Sequence, residues 1–105
     1  MAGEMQIRAR MRDDHTADVK VLIAHVMETG TRKDPKTKAL IPAHYITEVV
    51  AKLNTTIVLT AQWGGGIAKN PFFGFRVKGA RPGDFIEITA VDNKGEKFEH
   101  NAIVI

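Results

Sequence analysis

The segment Met5-Gln6-Ile7-Arg8-Ala9-Arg10-Met11-Arg12 decides the fold class of this chain. Its apolar residues fall on every odd position and its arginines on even positions, which is the pattern of a β-strand with one buried and one solvated face. On an α-helix the same residues would scatter around the whole circumference. The segment therefore predicts a strand whose outer face is basic.

The same period of two recurs along the rest of the chain and predicts further strands. Turn-forming residues such as Asn54-Thr55 and Asp92-Asn93-Lys94-Gly95 separate the alternating segments, as in antiparallel hairpins. The predicted strands cover residues 5–12, 19–23, 45–53, 57–63, 72–78, 85–91 and 97–105. About seven strands without an amphipathic helix predict an all-β, immunoglobulin-like antiparallel β-sandwich, with residues 1–105 as a single domain. A small Greek-key barrel is the structural alternative.

Alternation also predicts which side chains of the central strands point inward. β-Branched and aromatic residues are frequent in these segments, which favours strands over helices. The residues expected on inward faces are Tyr45, Val49, Ala51 and Leu53 in one strand, Ile57, Leu59, Ala61 and Trp63 in the next, and Phe73, Phe75 and Val77 in a third.

Composition excludes several classes of function. The 105 residues contain no cysteine, so the chain has no disulfide, no cysteine-ligated metal and no cysteine nucleophile. Serine is also missing, which excludes Ser-His-Asp catalysis. No apolar run is long enough to cross a bilayer, and no signal peptide is recognisable. A net charge of +3 is too small to identify an acidic partner.

Histidines could contribute a metal site. His25 and His44 bracket an irregular segment, and Glu28 or Asp34 could complete a set of two histidines and one carboxylate. The spacing matches no compact metal motif, so we predict hydrogen-bonded loop histidines, with no metal and no other cofactor. Turn aspartates commonly accept backbone hydrogen bonds and are expected to be solvated: Asp13, Asp14, Asp84 and Asp92.

Three further functions have weaker support. Arg8, Arg10 and Arg12 could bind nucleic acid, with the aromatic rings of Phe72, Phe73 and Phe75 as stacking platforms, but the arginines and the aromatic residues lie at opposite ends of the sequence. A carbohydrate-binding or adhesive sandwich would need exposed aromatic residues on a flat face, whereas Trp63 and Tyr45 occupy inward positions. The glycines at 64–66 are not followed by the Gly-Lys-Thr and helix of a phosphate loop.

Five ordered blocks of sequence resemble the SoxZ family. They comprise residues 24–30 with 32–34, 40–46, 69–72, 78–80 with 83–84, and 91–95. The resemblance extends from about Ile7 to Ile103. Two departures are visible: Val26 stands where a proline is expected, and Asn54-Thr55 stands where Asn-Gly is commoner.

The resemblance implies a function as well as an immunoglobulin-like fold. SoxZ is the small, non-catalytic subunit of the SoxYZ carrier complex of bacterial sulfur (thiosulfate) oxidation. Its SoxY partner carries sulfur intermediates covalently on a cysteine in a mobile C-terminal arm, and sulfur-oxidising enzymes act on that arm. The resemblance also implies a periplasmic protein that is exported with its partner, without a signal peptide of its own.

The partner is expected to bind at the two irregular segments, 25–43 and 64–71. About nineteen residues without a regular element are long for a loop in a small domain, and such loops are commonly functional. Exposed methionine, aromatic and arginine residues are typical of interfaces, which makes Met27 and Phe72 the expected anchors. The predicted partner-binding residues are Met27, Glu28, Arg32, Lys33, His44, Lys69, Asn70 and Phe72. Without the partner, a homodimer through the same surface is compatible with this prediction.

Overall fold

The computed structural model describes residues 4–105, and this range contains seven β-strands and no helix. The strands are β1 (Met5–Met11), β2 (Thr16–Ile23), β3 (Ile46–Leu53), β4 (Thr56–Gln62), β5 (Phe72–Lys78), β6 (Phe85–Asp92) and β7 (Lys97–Ile103). No helix that could cross a membrane is therefore found in this range. The predicted all-β class is confirmed.

The strands form two antiparallel sheets that pack face to face. One sheet has the order β1-β2-β5 and the other has the order β4-β3-β6-β7. Alternation places aliphatic side chains between the sheets, where burying each one stabilises the fold by about 1.5–3 kcal/mol. The largest fully buried side chains are Val19, Val21, Ile23, Ile46, Val49, Ile86, Ile88 and Val104.

The two sides of the sandwich are closed differently. The chain beyond β7 runs beside β1, where Met11 N–H donates to the Ile105 carbonyl at 2.8 Å and Ile105 N–H donates to the Ala9 carbonyl at 3.1 Å. On the opposite side, Trp63 and Phe73 meet edge to face with ring centroids 5.3 Å apart. Backbone hydrogen bonds therefore join the sheets on one side, and aromatic packing joins them on the other.

Two irregularities in the pairing of β3 with β6 and β4 change the predicted inward faces. A register shift between Ile46 and Glu48 lets Ile46 reach the core, where it is fully buried. A second shift, between Ala51 and Lys52, pairs Leu59 with Ala51 and Ile57 with Lys52. Because an extra residue moves a side chain to the other face of a sheet, Ile57 is 58% exposed. The prediction that Ile57 points inward is wrong.

The segment between β2 and β3 is folded back on itself. Glu28 pairs with His44, and Lys33 pairs with Leu40, in isolated antiparallel bridges. We call residues 28–44 the ribbon. The tip of the ribbon, residues 35–40, is exposed throughout. The longest strands have eight residues and span only about 27 Å, so they cannot account for the full length of the molecule. The ribbon therefore projects from a molecule whose extents are 55 × 20 × 20 Å.

Candidate interaction site at the loop end

The two segments predicted to bind a partner lie at the same end of the sandwich. We call this the loop end: residues 24–45, residues 63–72 and the turn at 93–96. Asn70 N–H donates to the His25 carbonyl at 2.9 Å, and His25 N–H donates to Asn70 Oδ1 at 3.1 Å. Asn70 has a φ of 52°, a left-handed conformation that asparagine tolerates better than most residues. This exchange of hydrogen bonds joins the two segments into one surface.

Charges of the two segments also act on the same carboxylate. The hydrogen bond from Arg32 lowers the pKa of Glu28, and the charge of Lys69 acts in the same direction. The Arg32 Nε donates to Glu28 Oε1 at 3.1 Å. Glu28 therefore pairs with Arg32 of its own segment, and the charge of Lys69 from the other segment favours its ionised form.

His25 and His44 meet under this surface, together with Asp92. The imidazole centroids are 4.5 Å apart, and both Nε2 atoms face Asp92 Oδ2, at 3.4 Å from His25 and 2.7 Å from His44. His25 follows β2, His44 precedes β3 and Asp92 ends β6, so the cluster ties both sheets together. The proposal that the two histidines could come together is confirmed.

The third member of the cluster differs from the sequence-based candidates. Glu28 pairs with Arg32, and Asp34 Oδ1 accepts hydrogen bonds from the turn amides of Lys36 and Thr37. Asp92 was expected to be solvated, but its side chain is fully buried. The sequence did not indicate this burial, because Asp92 stands at a hairpin turn and its Oδ1 does accept the hydrogen bonds of that turn. Its Oδ2 points inward to the histidines.

Hydrogen bonding at His25 argues against a metal ion in the cluster. His25, His44 and Asp92 are the one group in residues 4–105 whose ligand atoms lie within 4.8 Å of one another. The Met27 N–H donates to His25 Nδ1 at 3.1 Å, which assigns the proton of the neutral ring to Nε2. That nitrogen then donates to Asp92 and has no lone pair for a cation. The arrangement fits a satisfied buried network, and no buried side-chain nitrogen or oxygen in residues 4–105 lacks a partner.

The electrostatics of the cluster favour neutral His25 and ionised Asp92. Burial lowers the pKa of His25 below its ordinary value of 6.5, although the hydrogen bond with Asp92 acts in the opposite direction. Burial alone would raise the pKa of Asp92, but hydrogen bonds from His44, His25 and the amides of Glu96 and Lys94 outweigh it and lower the pKa. The carboxylate is stabilised because four donors converge on it.

Asp92 clamps the base of the ribbon through these contacts. His25 precedes the first arm of the ribbon, and His44 ends the second arm. Met27 adds an apolar contact, since it is only 5% exposed and its sulfur accepts a hydrogen bond from Ile46 N–H at 3.4 Å. The prediction that Met27 is exposed is wrong, because a φ of 49° turns the chain so that the side chain enters the core.

The other predicted partner-binding residues reach the surface to different degrees. Glu28 and His44 are half-buried at the base of the ribbon, whereas Phe72 is 66% exposed. Arg32, Lys33, Lys69 and Asn70 are also exposed. All of them lie at the loop end, and their contact with a partner stays a prediction. Leu40, which is 59% exposed on the ribbon, was missed because it lies outside any alternating segment.

The fold and the loop end define a small β-sandwich module with a projecting ribbon held by a buried polar cluster. The family model described as "Sulphur oxidation protein SoxZ" matches residues 5–102. The chain belongs to the SoxZ family and is a sulfur-oxidation protein. The resemblance noted in the sequence is thereby confirmed.

Solved structures with a similar fold are distant in sequence. Superoxide reductase (neelaredoxin) from Ignicoccus hospitalis superposes with a TM-score of 0.65 at 15% identity, over 98% of this chain and 80% of that one. Hypothetical protein PH1083 from Pyrococcus horikoshii superposes with a TM-score of 0.63 at 12% identity, over 94% of this chain and 84% of that one. At such low identity these likenesses show the fold alone. No curated protein matches the chain.

Proposed function

We propose that this chain is the non-catalytic subunit of a heterodimeric carrier complex in bacterial sulfur (thiosulfate) oxidation. The family match over residues 5–102 is the observation that carries the proposal. The partner is a SoxY-like chain that holds sulfur intermediates covalently on a C-terminal cysteine. This chain stabilises that partner and supplies part of the surface on which sulfur-oxidising enzymes dock.

The chemistry of the chain supports a non-catalytic role. It has neither a serine nor a cysteine nucleophile. In the His25–His44–Asp92 cluster, both Asp92 oxygens and both His25 ring nitrogens are engaged within the chain. A subunit without a thiol also cannot form a mixed disulfide that would compete for the partner's cysteine.

The loop end is the surface that we propose for the partner subunit. Phe72 is a large exposed aromatic residue, and aromatic residues dominate the binding energy of many interfaces. The ribbon adds Arg32 and the exposed Leu40. A stable heterodimer requires about 1,600 Å² of buried surface in total, so the partner must cover more than the ribbon.

Co-purification with the partner tests the proposal. When both chains are expressed together, the two are expected to elute as a stable complex. The Phe72→Ala variant should weaken it by about tenfold or more, because a buried aromatic anchor is lost. Ile103→Ala is a matched control, since Ile103 is 51% exposed but lies at the opposite end of the sandwich. A folded partner that does not bind this chain would contradict the proposed function.

A further inference from the structure

The outer face of the β1-β2-β5 sheet carries a concentration of positive charge that the proposed function does not use. We call this the basic face: the outward side chains of these strands, with Arg12 beside them. Cross-strand pairing places Arg8 next to Lys20 and Arg10 next to Asp18. On the other side of β2, Arg76 also pairs with Asp18. The cations of the face are Arg8, Arg10, Arg12, Lys20, Arg76 and Lys78, and all six are exposed.

This face is far more basic than the protein as a whole. It holds six cations and one carboxylate, out of fifteen Lys and Arg and twelve Asp and Glu in the chain. The remainder therefore holds nine cations and eleven carboxylates, so the excess charge is segregated. The small net charge of +3 conceals this separation.

Asp18 does not neutralise the face. Its carboxylate lies 3.3 Å from Arg76 Nε and 3.8 Å from Arg12 Nε, and it serves both arginines at once. Arg8, Arg10 and Lys20 form no ion pair with the acidic groups of residues 4–105. Like charges on adjacent strands repel one another, and an acidic partner would relieve this repulsion.

The shape of the face suits a partner side chain. Gly74 lies at the centre of β5 opposite Lys20, in an open depression of about 400 Å³ that is bordered by Lys20, Arg76 and Asp18. At the loop end, Phe72 pairs with Leu22, and the two contribute to a second depression that also includes Arg8 and Lys20. The basic face thus ends in an apolar patch.

We propose that the basic face docks an acidic segment of a partner protein that carries an apolar residue next to its carboxylates. The carboxylates pair with Arg8, Arg10 and Lys20, and the apolar residue packs on Leu22 in the depression that Phe72 borders. This docking is separate from binding of the carrier subunit at the loop end, although Phe72 borders both surfaces. A second protein bound to the basic face would therefore lie beside the carrier subunit.

A protein segment fits this face better than nucleic acid does. Binding of single strands relies on several aromatic platforms along a positively charged groove. Here Phe72 is the one aromatic side chain directed outward from these three strands, since Phe73 and Phe75 pack against the core. The combination of arginines with one aromatic residue on a flat sheet is typical of protein interfaces.

Binding of a defined acidic probe tests this proposal. The probe is a fluorescein-labelled peptide of alternating Glu and Gly with one central Leu, titrated with the purified chain and followed by fluorescence polarisation. The double variant Arg8→Glu/Arg10→Glu should weaken binding by about tenfold or more, because attraction becomes repulsion. Added NaCl should weaken binding to the wild-type chain, because salt screens exposed charges.

A charge-matched control separates the basic face from general electrostatics. Lys36→Glu/Lys38→Glu makes the same change in net charge on the exposed tip of the ribbon and should leave peptide affinity within about twofold of wild type. Equal losses in the two variants would overturn the proposal. So would tighter binding of a labelled oligothymidylate of equal charge. Thermal melts verify folding, and co-purification with the carrier subunit should survive Arg8→Glu/Arg10→Glu, which keeps the two proposals distinguishable.

Discussion

Asp92 uses its two carboxylate oxygens for different purposes. Oδ1 accepts the amides of Lys94 and Glu96 and shapes the hairpin turn, while Oδ2 accepts from His25 and His44. A hydrogen bond to a charged group contributes about 1.5–3 kcal/mol, more than one between neutral groups. The carboxylate is thus a local turn residue and a long-range tie between segments that are distant in sequence.

The Asp92→Asn variant tests the inward role. Asparagine keeps an oxygen for the turn but removes the charge that holds the histidines, so we expect the free energy of unfolding in urea to fall by about 1.5–3 kcal/mol. Asp13→Asn is the matched control, because Asp13 is an exposed turn aspartate that accepts two amides without a buried partner. It should change stability by less than about 0.5 kcal/mol. Equal effects would show that the inward hydrogen bonds contribute nothing.

The cluster also predicts that acid destabilises the fold. Because burial lowers the pKa of His25, unfolded chains bind more protons than folded chains below about pH 6.5, and stability is lost as pH falls through that range. Asp92 acts in the same direction at lower pH, since its folded pKa lies below the ordinary 3.8. Urea unfolding between about pH 5 and 7.5 should therefore show stability rising with pH.

Two histidine variants check the origin of this dependence. His25→Gln should flatten the slope between about pH 5 and 7, because the buried titrating group is gone. His100→Gln is the matched control, because it removes an exposed histidine of β7 that lies outside the cluster. If both variants keep the wild-type slope, the acid sensitivity has another source.

At the scale of elements, the base of the ribbon depends on Gly30. Gly30 has a φ of 85°, and a β-carbon there would come within 3.1 Å of the Ala43 β-carbon. This close approach brings the two arms together where Glu28 and His44 exchange backbone hydrogen bonds of 2.7 and 2.9 Å. Glycine is required here for its backbone conformation as well as for its size.

Gly30→Ala should therefore loosen the ribbon. A non-glycine residue with this φ costs about 1–2 kcal/mol, and we expect faster hydrogen exchange at the Glu28 and His44 amides. Gly66→Ala is the control, because a β-carbon on Gly66 would have no other atom within 4 Å and its φ is not in the left-handed region. Exchange rates in Gly66→Ala should match wild type. Unchanged hydrogen exchange in Gly30→Ala would contradict this prediction and mean that the backbone near Ala43 shifts to accept the methyl group without loosening the ribbon.

Strand β4 shows how far alternation predicts elements. The two-residue period located all seven strands because each has one face against the core. It failed at Ile57, because a bulge shifts the pairing and moves that side chain to the other face. A bulge is defined by how a strand pairs with its neighbour, so the sequence of β4 alone does not reveal the one beside Ile57.

At the scale of the whole molecule, we expect the chain to reach the periplasm only together with its partner. In cells that lack the partner subunit, fractionation and immunoblotting should find the chain in the cytoplasm. A periplasmic pool in those cells would contradict export in complex. The Phe72→Ala variant offers a graded test, because weakening the heterodimer should lower the exported fraction without changing the fold.

Alternation and turn residues determined the strands and the fold class from the sequence by itself, because these signals act between neighbours along the chain. The ordered blocks of sequence determined the family. Only the tertiary structure decided that Asp92 joins His25 and His44, and that Phe72 borders the row of Arg8 and Arg10. Those residues are separated by many positions in sequence, and packing of two sheets brings them together. The charge that looked too small to matter is concentrated on one face for the same reason: the order of the strands, β1-β2-β5, sets which residues share a surface.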